Sequence, residues 1–167
     1  LTNSSGVNLD GSWVTFCTEI SQNINLPSSP IQYDVMPVSA LPTPGTAMGV
    51  ASADAIARMY AFAAGSQYGA NADLASAFQI AIWEIYNDYS TFGIDLSTGN
   101  FQGTFSAGID GYLTGLLAAA NNLNGPMATI TGLGNASYQD LIIETPAPGA
   151  LALMGVAGLL GSRRRKA

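Results

Sequence analysis

Residues 78–88 read Phe78-Gln79-Ile80-Ala81-Ile82-Trp83-Glu84-Ile85-Tyr86-Asn87-Asp88, an apolar helical run interrupted by a glutamine, a tryptophan and two carboxylates. On a helix, positions three and four apart share a face. Leu74, Phe78, Ile82, Ile85 and Tyr89 make one stripe, the better core face. Gln79, Trp83 and Tyr86 make a second. Such a helix packs by the first stripe and presents Gln79 beside Trp83 on the other. An amide presented in this way needs a partner, and the only cysteine, Cys17, is the candidate.

Working outward, Thr46 can cap a preceding helix that runs to about Ala64, with Gly65 as its stop. Ile56, Met59, Tyr60 and Ala63 give that helix a buried stripe. Asn71 or Asp73 caps the central helix, which runs to about Asp88. A Gly/Ser/Thr/Asp loop follows from Thr91 to Gly103. A third helix spans about 105–121, where Ile109, Tyr112, Leu113, Leu116, Leu117 and Ala120 keep the helical period. Asn124-Gly125-Pro126 ends it.

The flanks read as strands. Ser12–Ile20 is β-branched and aromatic, with Trp13, Thr15, Cys17 and Glu19 on one face and Val14, Phe16, Thr18 and Ile20 on the other. Ile31–Val38 is a short second candidate, set among Pro27, Pro30, Pro37, Pro42 and Pro44, which keep 26–45 mostly loop or edge. Met127–Leu133 and Ser137–Glu144 follow the helices, joined at Gly134-Asn135. The order predicts an α+β domain over residues 1–144: a β-rich subdomain with an inserted three-helix block.

Composition narrows the chemistry. The 167 residues suffice for one domain, and only 10% are charged, as suits a secreted or matrix protein. Residues 1–148 hold Arg58 alone against eleven acids, a net charge of −10. Such a body repels nucleic acid and anionic lipid heads. With no histidine, Ser-His and Cys-His nucleophile pairs, most zinc sites and haem ligation are excluded. One cysteine permits no internal disulfide. No metal and no cofactor is expected, and Asp95-Leu96-Ser97-Thr98-Gly99 lacks the acids and closing glutamate of an EF-hand.

Residues 145–167 form a separate segment. Thr145-Pro146-Ala147-Pro148 is a boundary, and Gly149–Ser162 is charge-free and rich in Gly, Ala and Leu. Arg163, Arg164, Arg165 and Lys166 follow. As a helix this run reaches about 21 Å, short of the ~30 Å hydrocarbon core. It can span a thinned bilayer with the basic cluster held inside; the alternatives are an interfacial anchor or a buried core helix, and the four basic residues at its end predict a helix that packs little against the body. The arrangement resembles the PEP-CTERM sorting tail of Gram-negative bacteria, with Ala147 where that pattern has glutamate. The resemblance implies an exosortase partner, transient membrane anchorage through a C-terminal hydrophobic helix, and release to the cell surface or matrix. The sorting residues it implies are Pro146, Pro148, Arg163, Arg164 and Arg165. The opening Leu1-Thr2-Asn3-Ser4-Ser5-Gly6 does not read as a charged-then-apolar export signal, which leaves a removed signal and a fragment both open.

A thiolate can attack a glutamine amide, expel ammonia and leave an intramolecular thioester. The thiol and amide must be in contact, shielded from water, with a proton acceptor nearby. Glu19, Glu84 and Asp88 are the acids available. Phe16-Cys17 on an early strand, followed by Phe78-Gln79-Ile80-Ala81-Ile82-Trp83 on a later helix, resembles the thioester domains of bacterial surface adhesins. That resemblance implies a thioester of Cys17 and Gln79, with Phe16, Glu19, Trp83 and Glu84 around it. It also implies adhesion by one-time covalent attachment to an external amine or hydroxyl on a surface or matrix polymer or protein. A turnover enzyme is not expected. Two plainer readings stand beside it. Cys17 can be a small buried hydrophobe in a non-reactive matrix protein of the same fold. Tyr86, Tyr89, Tyr112 and Phe92 can line a sugar-stacking groove or simply pack.

Overall fold

The structure is a computed structural model that describes residues 9, 12–22, 30–66 and 68–145. The segment with Pro146, Pro148, the apolar run 149–162 and Arg163, Arg164 and Arg165 lies outside the described residues, so the expected C-terminal helix does too. Among the described residues no helix is long and apolar enough to cross a membrane.

Two strands, three helices and two strands follow one another in the expected order: β1 (Phe16–Cys17), β2 (Asp34–Met36), α1 (Gly49–Phe62), α2 (Ala72–Asp88), α3 (Ala107–Asn121), β3 (Ile130–Gly134) and β4 (Leu141–Glu144). The sheet is antiparallel throughout, in the order β1-β4-β3-β2. The two strands made last therefore lie between the two made first. The chain is an α+β protein.

Strand alternation sorts the side chains into two layers. Phe16, Met36, Ile130 and Ile142 face the helices and join a core that includes Ile56, Met59, Tyr60, Phe78, Ile82, Ile85, Leu113 and Leu116. Val35, Leu133, Leu141 and Ile143 face the other way, onto Leu9, Trp13 and Tyr33. Sheet and helices thus share one main core, with a thinner layer behind the sheet. Gly132 keeps the main layer close, because a Cβ there would lie 2.8 Å from Leu41 Cδ1 and 3.0 Å from Met36 O.

The central helix forms where its pattern places it. Asn71 takes extended backbone and its Oδ1 accepts from Leu74 N at 3.0 Å, satisfying an otherwise orphan donor. Leu74, Phe78, Ile82 and Ile85 are buried, and Gln79, Trp83 and Tyr86 are half-buried. The expected stripe of α1 is also fully buried.

Several boundaries differ from the sequence expectation. The strand expected over 12–20 is two residues long, because only Phe16 and Cys17 face β4. Trp13 instead turns its Nε1 to Leu9 O at 2.9 Å, while Thr18 and Glu19 are both buried, which breaks the alternation. Thr46 does not cap α1. The helix starts at Gly49 (φ +80°), after Met48, and Thr46 O instead accepts from Tyr86 Oη at 3.4 Å. Residues 135–140 form a turn rather than the start of β4, since Asn135 Oδ1 accepts from Ser137 N and Tyr138 N.

Gly132→Val should lower unfolding stability by about 1–3 kcal/mol through overpacking against Leu41. The expected signature is a lower urea midpoint with an unchanged m-value.

Candidate functional site

β1 is an edge strand, so half of its backbone groups have no strand partner. Thr18 N donates to Asp140 O at 3.0 Å. Because antiparallel ladders alternate, Phe16 and Thr18 turn their backbone toward β4 and Cys17 turns its own to the open edge. Gln79 fills that edge. Cys17 N donates to Gln79 Oε1 at 2.8 Å, and Gln79 Nε2 donates to Cys17 O at 2.8 Å. One carboxamide, 62 positions away in sequence, satisfies both groups as a neighbouring strand would.

An aromatic cluster sets this register. Phe16 packs on Phe78 with ring centroids 4.6 Å apart, and both rings meet Tyr60 and Tyr68 at 4.7–6.3 Å. Phe16 precedes Cys17 and Phe78 precedes Gln79, so docking the two phenylalanines brings the next residues together. Edge-to-face pairs of this kind contribute about 0.5–1.5 kcal/mol beyond area burial.

The thiol stands off the sheet plane. Cys17 is opposite Leu141, whose side chain lies on the face turned from the helices. The carboxamide is bonded to the strand's backbone edge, while strand side chains stand roughly perpendicular to the sheet. Burial pushes the Cys17 thiol up to about 11, and the Glu19 charge adds to the shift.

Glu19 is the acid at this junction. It is 2% exposed. Its Oε1 accepts from Asp140 N at 3.1 Å, while its Oε2 is buried with no partner among the described residues. Burial raises its carboxyl most, the Asp140 charge raises it further, and the bond from Asp140 N opposes both. Gln139 Nε2 donates to Glu19 O. Asp140 in turn accepts from Asn135 N at 2.6 Å and from Thr43 N. Gln139 and Asp140 are the residues that sequence reasoning missed. Their only signal is a polar Gln-Asp pair set directly before an apolar strand.

Trp83 and Glu84 serve another region. Trp83 packs edge-on against Phe101 at 6.2 Å, and its Nε1 is buried without a partner among the described residues. Glu84 Oε1 accepts from Asp95 N at 2.7 Å, and burial lifts its carboxyl to about 7. Asp88 accepts from Asn100 N and Phe101 N, both at 2.7 Å. Glu84 and Asp88 therefore staple the loop 95–101 to α2, and Glu19 alone of the three acids stands by Cys17. Asp95 uses its Oδ1 within its own turn, accepting from Ser97 N and Oγ. The aromatics proposed as a groove have separate engagements: Tyr89 Oη accepts from Arg58 and Tyr112 Oη from Asn71.

No protein family, curated protein or solved structure matches the chain.

Two outcomes follow from this geometry. Gln79→Ala leaves the Cys17 N–H and C=O unpaired at a half-buried edge, and should cost about 1–3 kcal/mol in denaturant unfolding. The second concerns pH. Burial raises Glu19, Glu84, Asp140 and Glu144, while exposed Asp95 shifts down through its bonds to Ser97. A raised carboxyl stabilises the fold fully below its unfolded value and loses that contribution as pH climbs through its folded value. Melting temperature should therefore fall as pH rises from about 4.5 past 7. Glu84→Gln should flatten the upper part of that slope.

Proposed function

We propose that this chain is an exported cell-surface or matrix protein in which Cys17 and Gln79 form an intramolecular thioester, used once for covalent attachment. The observation that carries the proposal is the docking of the Gln79 carboxamide on the Cys17 backbone at 2.8 Å on both sides. The Cys17 N–H already donates to Oε1, so it polarises the carbonyl and would hold the oxyanion of a tetrahedral adduct. The Cys17 carbonyl holds Nε2, the leaving nitrogen. Attack on the carbonyl carbon must come from above the amide plane, so the Cys17 thiol has to reach Gln79 Cδ from the backbone to which the amide is already bonded.

The step balances without a cofactor. The Sγ–H proton passes to an acid-base group, for which Glu19 with its free Oε2 is the candidate, and Sγ bonds to Gln79 Cδ. The Cδ–Nε2 bond breaks, and the nitrogen leaves with that proton as ammonia. A later amine attacks Cδ, loses a proton and returns it to the thiol, giving an amide and free Cys17. Residues 1–148 contain no lysine, and Arg58 is not a useful nucleophile. The body therefore cannot quench the acyl group with its own lysines, and capture needs an external amine or hydroxyl, on a matrix polymer or another protein. The arrangement of Pro146, Pro148 and Arg163–Arg165 supports an exosortase partner, a transient stay in the inner membrane of a Gram-negative cell, and delivery to its surface.

One observation favours a second reading. The amide has both hydrogen-bonding ends satisfied, and the thiol is held protonated, with a value of about 11. Gln79 then caps the sheet edge and no bond forms, as in a non-reactive structural or exopolysaccharide-associated matrix protein.

Intact mass separates the two. The thioester form is lighter by one ammonia, and incubation with methylamine should add one amine to Gln79 while freeing the Cys17 thiol for alkylation. Cys17→Ala should show neither change. A wild-type chain at full mass that takes up no amine would leave the edge-capping role alone.

A further inference from the structure

Where α1 meets α3, a cavity of about 350 Å³ is lined by Arg58, Phe62, Gly115, Ala119, Asn122 and Pro126, among others. Arg58 is the only cation in residues 1–148 and is 5% exposed. Its Nε donates to Ala120 O at 2.9 Å and its Nη2 to Tyr89 Oη at 3.3 Å. Nη1 has no partner among the described residues, and neither bond that the guanidinium makes is to a carboxylate. A buried charge is costly unless paired. The C-terminal end of α3, where Ala120 stands, offsets about half a unit charge, which leaves much of the guanidinium's charge uncompensated. Both acceptors, Ala120 O and Tyr89 Oη, are neutral oxygens.

The rest of the cavity is apolar and shallow-sided. Gly115, Ala118, Ala119 and Asn122 recur at helical spacing, giving α3 a face without bulk. Phe62 is 60% exposed, and its ring leans on that face: a Cβ at Gly115 would lie 3.1 Å from Phe62 Cζ. The volume is at the small end of ligand pockets, enough for one ring rather than a chain. A body of net charge −10 gives an approaching anion no long-range attraction. Selectivity must come from contact with the cavity itself.

We propose that this cavity binds a carboxylate carried on a single ring, the carboxylate on Arg58 and the ring beside Phe62, over Ala118, Ala119 and Asn122 of α3. Guanidinium pairs with carboxylates in planar, charge-assisted geometry, and an exposed aromatic ring accepts a flat or saturated ring equally. Asn122 offers one amide to a ring substituent. An aromatic acid and an acidic sugar share this chemistry.

The test uses the full chain and nitrogen-edited NMR titrations with benzoate, glucuronate and neutral benzamide. Saturable shifts at the Arg58 side chain and the Gly125 amide are expected for at least one carboxylate, with a Kd below about 10 mM. Tighter benzoate identifies an aromatic acid, and tighter glucuronate an acidic sugar. Benzamide should bind roughly tenfold more weakly or not at all. Ala119→Leu fills the cavity without touching the charge and should weaken binding at least as much. Ala118→Leu, at an exposed position of the same wall, replaces it if Ala119→Leu does not fold. No saturable shift with either carboxylate, equal binding of benzamide, or unchanged binding in the filled variant would overturn the proposal.

Discussion

The contact between Phe16 and Phe78 fixes where α2 meets the sheet, and most of the molecule's organisation depends on it. Both rings are buried at the centre of the main core, with Tyr60 and Tyr68 against them. Shape alone would allow a helix to slide or rotate on a small sheet. An aromatic pair with a preferred centroid separation resists both motions. The residues that follow each phenylalanine then meet at hydrogen-bonding distance, and an edge that would otherwise be open is closed.

Closing an edge with a side chain differs from closing it with a strand. A strand supplies a ladder, and a carboxamide supplies one rung. β1 pairs with β4 over only two residues although its sequence reads as a strand over 12–20. Beyond Cys17 the bond from Thr18 N to Asp140 O continues the pairing once, and Thr18 and Glu19 are then buried together. The cost of burying Glu19 is offset in part by the backbone N–H of Asp140 and leaves one oxygen unpaired.

The helices were legible in the sequence because the apolar period holds over 14 to 17 residues, and in α2 the Asn71 cap agrees with it. In α2 every position assigned to the core stripe from Leu74 to Ile85 is buried. Strand limits were not legible, because a run of β-branched and aromatic residues states a preference and not a partner. Thr46 shows the same limit for caps: a suitable residue does not cap when Gly49, with positive φ, makes a tighter entry. At the site, the meeting of Cys17 and Gln79 could be anticipated from the paired motifs. The role of Asp140 could not, since its carboxylate ties together Thr43 and Asn135, which lie 97 positions away and 5 away in sequence. Glu84 looked equivalent to Glu19 as an acid beside the glutamine. Five positions on a helix turn it well away from Gln79, toward the loop it holds.

The strand order carries a consequence for how the chain is made. Synthesis proceeds from the N-terminus, so β1 and β2 emerge first, yet in the finished sheet they are the two outer strands and do not touch each other. Their partners, β4 and β3, appear only after all three helices have been synthesised. A nascent chain can form its helices early, but its sheet has no centre until residues 130–144 arrive. Completion therefore waits on the C-terminal hairpin: a chain stopped short of Ile130 contains the sequence of every helix and both borders of a sheet that cannot form.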